Sequence, residues 1–514
     1  MKKLLFLFAI SSLFFVACKN DDVSSTDAAI NSIPADVSSV SVINIQRLMK
    51  KADFEAVKEM AFYKKIIAEV ENDGQKAIAK ILQDPAASGV DLSKKAYFFS
   101  NIDPNNPENI FSGMVLNLKD ASAFSALLTD AGLIVEKDAN YSKTTRAQNS
   151  ITAWNDEVAI IGGGSTRSTD LSSNLNQFFN TTEETSVANN NEMQKAFSNN
   201  HDFSSWFTTN PLAQNPQAGL VLSMIQVPAD ALKDNFINST FDFENGQIVG
   251  HSDFLMNNDL GKNFIGKFFK EEVTTDFSDY LPAENLVFAT SGAIDFKGID
   301  QFLSERPQAK GYIDFLLKEY GLTMSDVIET FGGDLLMAGM SDGEKGNSNT
   351  LFASNVKDEK KLNTFINLAV ENNILQELED DVYKVMTVGM PGMSFSRGKG
   401  LGNMLVKNGM MFISSDEALL SKLKEGKLSK SERAMGDMVN LLNENTMGAY
   451  FDFEAVRGFS KDLENIHFDH LEVKMKNSGA DFKMELEDKN MNSLKAIFQM
   501  VNESYLDSQK REAI

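Results

Sequence analysis

Apolar and polar residues alternate with period two from Ser39 to Ile45 (SVSVINI), which predicts a strand with one buried face. The spacing then changes. From Ala52 onward, Phe54, Val57, Ala61, Ile66 and Val70 recur at intervals of three to five and share one face of a helical segment. Two more strands follow, AYFFSNI and IFSGMVLNL, joined by a turn at Asp103-Pro104-Asn105-Asn106-Pro107. Asp120 stands where a helix N-cap belongs, ahead of AFSALLTDAG. Strands between Ile151 and Gly162, a helix and a hairpin that includes QIVGHSDFLM complete the first half.

The second half runs through the same order. IPADVSSVSVINI at Ile33 matches LPAENLVFATSGAI at Leu281, with Pro34 and Pro282 offset by 248. Asn117-Leu118-Lys119-Asp120 matches Asn355-Val356-Lys357-Asp358 at an offset of 238. WNDEVAIIGGG at Trp154 matches VKNGMMFISSD at Val406 (offset 252), and DFSSWFTTN at Asp202 matches TMGAYFDFE at Thr446 (offset 244). Four collinear matches with nearly constant offset point to a duplication of domain-sized copies. The competing reading is that strand–turn–helix grammar recurs by chance. Hairpin-length turns with helices grouped between strands predict an α+β fold, each copy an antiparallel sheet covered by helices. The copies are expected at 33–275 and 276–514, dividing near Lys270–Asp279.

The N-terminal end follows a different pattern. Lys2 and Lys3 precede an apolar run, Leu4 to Ala17, shorter than the roughly 20 apolar residues of a membrane-spanning helix. Residues 1–17 have the layout of a signal peptide. Cys18, the single cysteine of the 514 residues, follows immediately. The stretch LFFVAC resembles the lipobox of bacterial lipoproteins, although Phe15 replaces the usual aliphatic residue. That resemblance implies acylation of Cys18, by palmitate or a similar chain, and anchoring to a membrane through the acyl chains. Ordinary cleavage leaving a free thiol is the alternative. Residues 18–32, rich in Ser, Asp and Ala, are expected to form a solvated tether. Lys19, Asn20, Asp21 and Asp22 are similar to the acidic export signal of Bacteroidetes surface lipoproteins. This implies an outer-membrane lipoprotein exposed at the cell surface, with the periplasmic face as alternative.

Composition narrows the chemistry. The net charge of −23 becomes −25 when Lys2 and Lys3 are lost, a surface that repels nucleic acid and anionic membranes. With Cys18 acylated no disulfide can form, so stability rests on apolar burial, to which 38 Phe and 23 Met contribute. With Cys18 committed, only His201, His251, His467 and His470 remain for a zinc site; His467 and His470 would share a face if helical, but read as solvent-facing histidines near a strand. GMSFSRGKG at Gly392 lacks the spacing and hydroxyl of a phosphate loop, and Gly162-Gly163-Gly164 reads as a turn. Ser421-Lys422-Leu423-Lys424 and Ser354-Asn355-Val356-Lys357 fit S-x-x-K without its companion motifs. Trp154 and Trp206 lie in repeated strands, which favours core over a sugar platform. No catalytic residue, metal site or cofactor is assigned.

IPADVSSVSVINI and SGVDLSKKAYFFSNI, together with the lipobox-like start, resemble an uncharacterised lipoprotein family of the Bacteroidetes built on a large domain of unknown function. The resemblance implies address and fold class and brings no active-site residues. The expected function is a non-enzymatic surface lipoprotein that binds or supports a protein or glycan partner. The alternatives are a surface hydrolase with an unrecognised Ser or carboxylate site, and a glycan-binding accessory lipoprotein.

Overall fold

The computed structural model describes residues 27–512 except 73–74, 104–105, 107, 145–148, 167–168, 225–226, 283–284, 320, 342–347, 380, 387–401, 427, 429–436 and 458–463. The chain forms two units. The first runs from Asp27 to Val221 and adds Leu232–Met256 and the segment from Asp488 onward; the second comprises Leu222–Ala231 and Asn257–Glu487.

Among the described residues, ten strands build the first unit: β1 (Ser39–Ile43), β2 (Ala96–Ile102), β3 (Ile110–Asn117), β4 (Val135–Lys137), β5 (Ser142–Thr144), β6 (Ser150–Trp154), β7 (Val158–Gly164), β8 (Phe203–Thr208), β9 (Phe236–Glu244) and β10 (Gln247–Leu255). They pair antiparallel within the unit in the order β10-β9-β8-β1-β2-β3-β7-β6-β5-β4. The second unit contains β11 (Leu286–Ala293), β12 (Phe331–Ser341), β13 (Ser348–Val356), β14 (Leu375–Glu379), β15 (Val382–Val385), β16 (Asn403–Lys407), β17 (Met410–Ser414), β18 (Met447–Asp452), β19 (Phe468–Lys476) and β20 (Gly479–Leu486). Its order, β20-β19-β18-β11-β12-β13-β17-β16-β15-β14, repeats the first strand for strand. The fold class is α+β. Each of the four sequence matches falls on corresponding strands: β1 and β11, the ends of β3 and β13, the β6–β7 and β16–β17 hairpins, and β8 and β18.

Burial explains why these strands read as they do. In β1 the alternation is real: Val40 and Val42 are buried and their neighbours half-buried. Val40 lies opposite Phe99 on one side and Trp206 on the other, forming an apolar row across three strands. Phe99 in turn stacks on Phe178 at 6.2 Å, because Leu171, Leu175 and Phe178 share the buried face of the helix Leu171–Asn180. Residues of the opposite parity, Ala96, Met114, Leu116 and Ala159, enter a second core with Ile45, Met49 and Phe54. The central strands are therefore covered on both faces, which accounts for near-continuous apolar runs such as AYFF. The second unit has the same arrangement, with one core around Leu336, Leu351 and Phe412 and another around Leu362, Ile366 and Val406.

Three expectations are corrected. The tether ends earlier than Ser32: Asp27 caps a short helix, Ala28–Asn31, whose Ala29 is fully buried. Tyr97 Oη donates to Asp27 Oδ2 at 2.6 Å and Asn117 Nδ2 to Asp27 Oδ1 at 2.8 Å, so a stretch that is polar in composition is held inside the unit. The segment Lys270–Asp279 is not a divide. Val273 and Phe277 are core residues of the second unit, and the chain returns to the first through the helix Ser493–Glu512. There Phe498 stacks on Phe62 at 6.4 Å and Lys495 pairs with Asp53 at 2.7 Å. Gly162-Gly163-Gly164 is strand rather than turn: a Cβ on Gly162 would stand 2.9 Å from the Phe111 ring, so glycine is required by close packing.

Trp206 is 2 % exposed and stacks on Phe236 at 5.7 Å. Trp206→Ala is expected to cost about 3–5 kcal/mol, read as a lowered urea midpoint at unchanged slope.

Candidate functional site

Buried charge marks the places where this sequence has accepted a cost, and in the first unit it centres on Asp202, whose side chain has no solvent exposure. The helix Ile45–Ala52 places Arg47 and Lys51 four residues apart, on one face. Arg47 Nε donates to Asp202 Oδ1 at 2.9 Å and Lys51 Nζ to Oδ2 at 2.6 Å, while the Phe243 N–H also reaches Oδ2 at 2.7 Å. Alternate residues of β9 supply Asp242, which accepts from Arg47 at 3.3 Å and lies 2.5 Å from His201 Nδ1, and Glu244, which accepts from Lys51 at 3.0 Å. Burial pushes the Asp242 carboxyl up, but its hydrogen bonds to His201 and the Asp202 N–H hold it below the usual range.

The second unit has a different centre. Asp334, also without exposure, opens the regular part of β12 and accepts from Lys270 Nζ at 2.8 Å. Thr274 and Thr275 each donate both N–H and Oγ1–H to Asp334 Oδ2, at 2.7–3.1 Å. Burial raises this carboxyl, and the Lys270 and Thr hydrogen bonds outweigh it and hold it low. Both centres are satisfied by side chains and backbone of their own unit, which makes them structural.

A third grouping is more open and lies on β18–β20. Register sets Asp452 opposite His470, Tyr450 opposite Glu472 and Glu472 opposite Lys483. His470 stacks on Tyr450 at 5.5 Å and its Nε2 lies 3.2 Å from Glu472 Oε1; its Nδ1 lies 3.6 Å from Asp469 Oδ2. Lys483 Nζ lies 2.5 Å from Glu485 and 3.8 Å from Glu472. The Tyr450 hydroxyl is pushed up by burial and then by Asp452, Asp469, Glu472 and Glu485, so the patch carries a negative field. Ligand atoms of Asp469, His470 and Glu485 lie within 4.8 Å of one another.

The residues singled out from sequence are not brought together. Cys18, Lys19, Asn20, Asp21 and Asp22 lie outside the described residues, as does the Gly392 loop. Asp120 and Asp358 cap helices, accepting from Ala123 N at 2.9 Å and from Lys360 and Lys361 N at 2.9 and 3.1 Å. Ser421 lies on the helix Glu417–Lys424 and Ser354 is buried within β13. Trp154 and Trp206 are both core residues. His467 and His470 do not share a helix face, since the segment enters β19; His467 faces Glu487 at 3.6 Å instead. Sequence reasoning missed Asp202 and Asp334, whose partners lie up to 155 residues away; the i, i+4 pair of cations Arg47 and Lys51 on one short helix is the local trace.

With this geometry in view, the chain belongs to a family defined by a domain of unknown function, DUF4836, whose model matches residues 30–431. No curated protein matches the chain. Crystal forms I, III and IV of a protein titled TP0453 are similar at 10 %, 7 % and 8 % identity. These matches cover 45 % of this chain and 79 %, 80 % and 83 % of theirs, with TM-scores of 0.26, 0.26 and 0.27, too low to carry an argument about fold or function.

Because Asp242 and Asp334 hold their protons less tightly when folded, the stability they contribute is complete above about pH 4 and is lost as pH falls through their lower folded values. Acid titration followed by urea unfolding is expected to show that loss. Asp334→Ala should cost about 3 kcal/mol at pH 7, at the low end because Lys270 keeps 29 % exposure, and should flatten the acid limb.

Proposed function

We propose that this chain is a non-enzymatic lipoprotein of the outer membrane, displayed at the cell surface and binding or supporting a protein partner. The observation that carries the reading is the position of Cys18. It follows an apolar run that ends in Ala17 and precedes Asp27, the first residue held in the folded unit, by nine residues. Nine residues extend to at most about 30 Å, so an acyl group on Cys18 would keep the first unit close to the bilayer. The acidic stretch Lys19–Asp22 supports outward display rather than retention on the periplasmic face.

A partner is supported by the helix Pro307–Glu319 of the second unit. It exposes Tyr312 by 65 %, Phe315 by 68 % and Leu316 by 39 %, spaced to share one face. A contiguous apolar face on a strongly acidic protein is kept at a cost in solubility, which binding would offset. We also read the two units as copies of one ancestral domain, supported by their identical strand order and the four collinear sequence matches.

Metabolic labelling with a palmitate analogue should mark the wild-type chain and not Cys18→Ser, which should move to the soluble fraction. Protease treatment of intact cells should remove the labelled chain if it faces outward. Recovery of the wild type in soluble form with a free thiol would overturn the anchor. Crosslinking on intact cells should capture a partner that Phe315→Glu loses.

A further inference from the structure

The β18–β20 patch has a donor set that the proposed scaffold role does not use. Asp469, His470 and Glu485 offer one imidazole nitrogen and two carboxylate oxygens within 4.8 Å of one another. A tetrahedral ion with bonds of about 2.0–2.2 Å needs ligand atoms about 3.4 Å apart. The gap between His470 Nδ1 and Asp469 Oδ2, 3.6 Å, is already close to that.

The surroundings of His470 are those of a ligand rather than of a solvated histidine. Its other nitrogen, Nε2, is held at 3.2 Å by Glu472, a carboxylate only 7 % exposed. Metal-bound imidazoles commonly donate their remaining N–H to such a carboxylate, which fixes the tautomer and turns the free lone pair toward the ion. Stacking on Tyr450 fixes the plane of the ring. The carboxylates around the patch supply the charge. The Lys483 ammonium sits 2.5 Å from Glu485 in the position of an internal counter-ion.

We propose that Asp469, His470 and Glu485 bind one divalent first-row transition-metal ion, with Nδ1 of His470 as the nitrogen ligand, Glu472 as the group that orients it, and solvent completing the coordination. The mixed N/O donor set favours Zn²⁺ and its neighbours over Ca²⁺ or Mg²⁺, which prefer oxygen alone. Among the described residues this donor set occurs in the second unit. In the corresponding hairpin of the first unit, Thr240 and His251 hold the register positions of Glu472 and Lys483.

Full chain purified in detergent and stripped with chelator is titrated with Zn²⁺ by calorimetry, and with Co²⁺ by visible absorption. One equivalent is expected to bind, with Co²⁺ d–d bands displaced by Zn²⁺ and with no competition from millimolar Ca²⁺. His470→Ala should weaken binding at least about 100-fold and Glu472→Gln about tenfold. Lys483→Met, which removes the competing ammonium, should tighten it, and His467→Ala should leave it unchanged. Glu485→Gln leaves the Tyr450 stack in place, so weakened binding in this variant keeps the test decisive if His470→Ala fails to fold. Absence of binding to the folded wild type, or binding that survives Glu485→Gln at full strength, would overturn the assignment.

Discussion

The first unit is organised around a carboxylate that water cannot reach. Asp202 must be satisfied by charge and hydrogen bonds from its own surroundings, and leaving it unpaired would cost several kcal/mol. The partners come from two separate parts of the chain, the helix after β1 and the far end of β9. Meeting that requirement fixes how the helix docks on the sheet and which register β8 and β9 adopt. With one cysteine in the whole chain, no covalent staple can do this work. Asp334 imposes a comparable requirement on the second unit through quite different donors, a lysine and two threonines. The shared strand order therefore rests on apolar burial, while each unit solves its own electrostatic problem.

Much of the architecture was legible because it is local. Period-two alternation places β1, the turn at 103–107 sets off β2 and β3, and Asp120 and Asp358 announce helix starts by a mechanism that needs only the next three residues. What failed was non-local or depended on neighbours. The polar composition of residues 27–32 reads as tether because nothing nearby reveals Tyr97 and Asn117 waiting to bind Asp27. The triple glycine reads as a turn because the Phe111 ring that excludes a side chain lies on another strand. His467 and His470 read as an uninformative pair, since the carboxylate beside each, Glu487 or Glu472, becomes a neighbour only once β19 pairs with β20 or extends along itself.

The two units share a strand order and differ in the hairpins that end it. Thr240 and His251 hold in the first unit the register positions that Glu472 and Lys483 hold in the second. The central strands keep their apolar rows, because a change there opens a cavity or forces a clash. A hairpin face is freer, since polar and charged residues can replace one another there without disturbing the core. New chemistry is therefore expected to collect at β18–β20 and on the helix Pro307–Glu319 rather than on the central strands of that unit.

The return of the final helix to the first unit has a consequence for how the molecule is made. Phe62, Asp53 and Phe243 all find partners within the last 25 or so residues of the chain. The N-terminal half thus emerges first and is finished last, after more than 200 intervening residues have been delivered. A nascent or prematurely ended polypeptide carries an unsealed apolar flank from birth, and quality-control proteases can distinguish it from a finished molecule without reading its sequence.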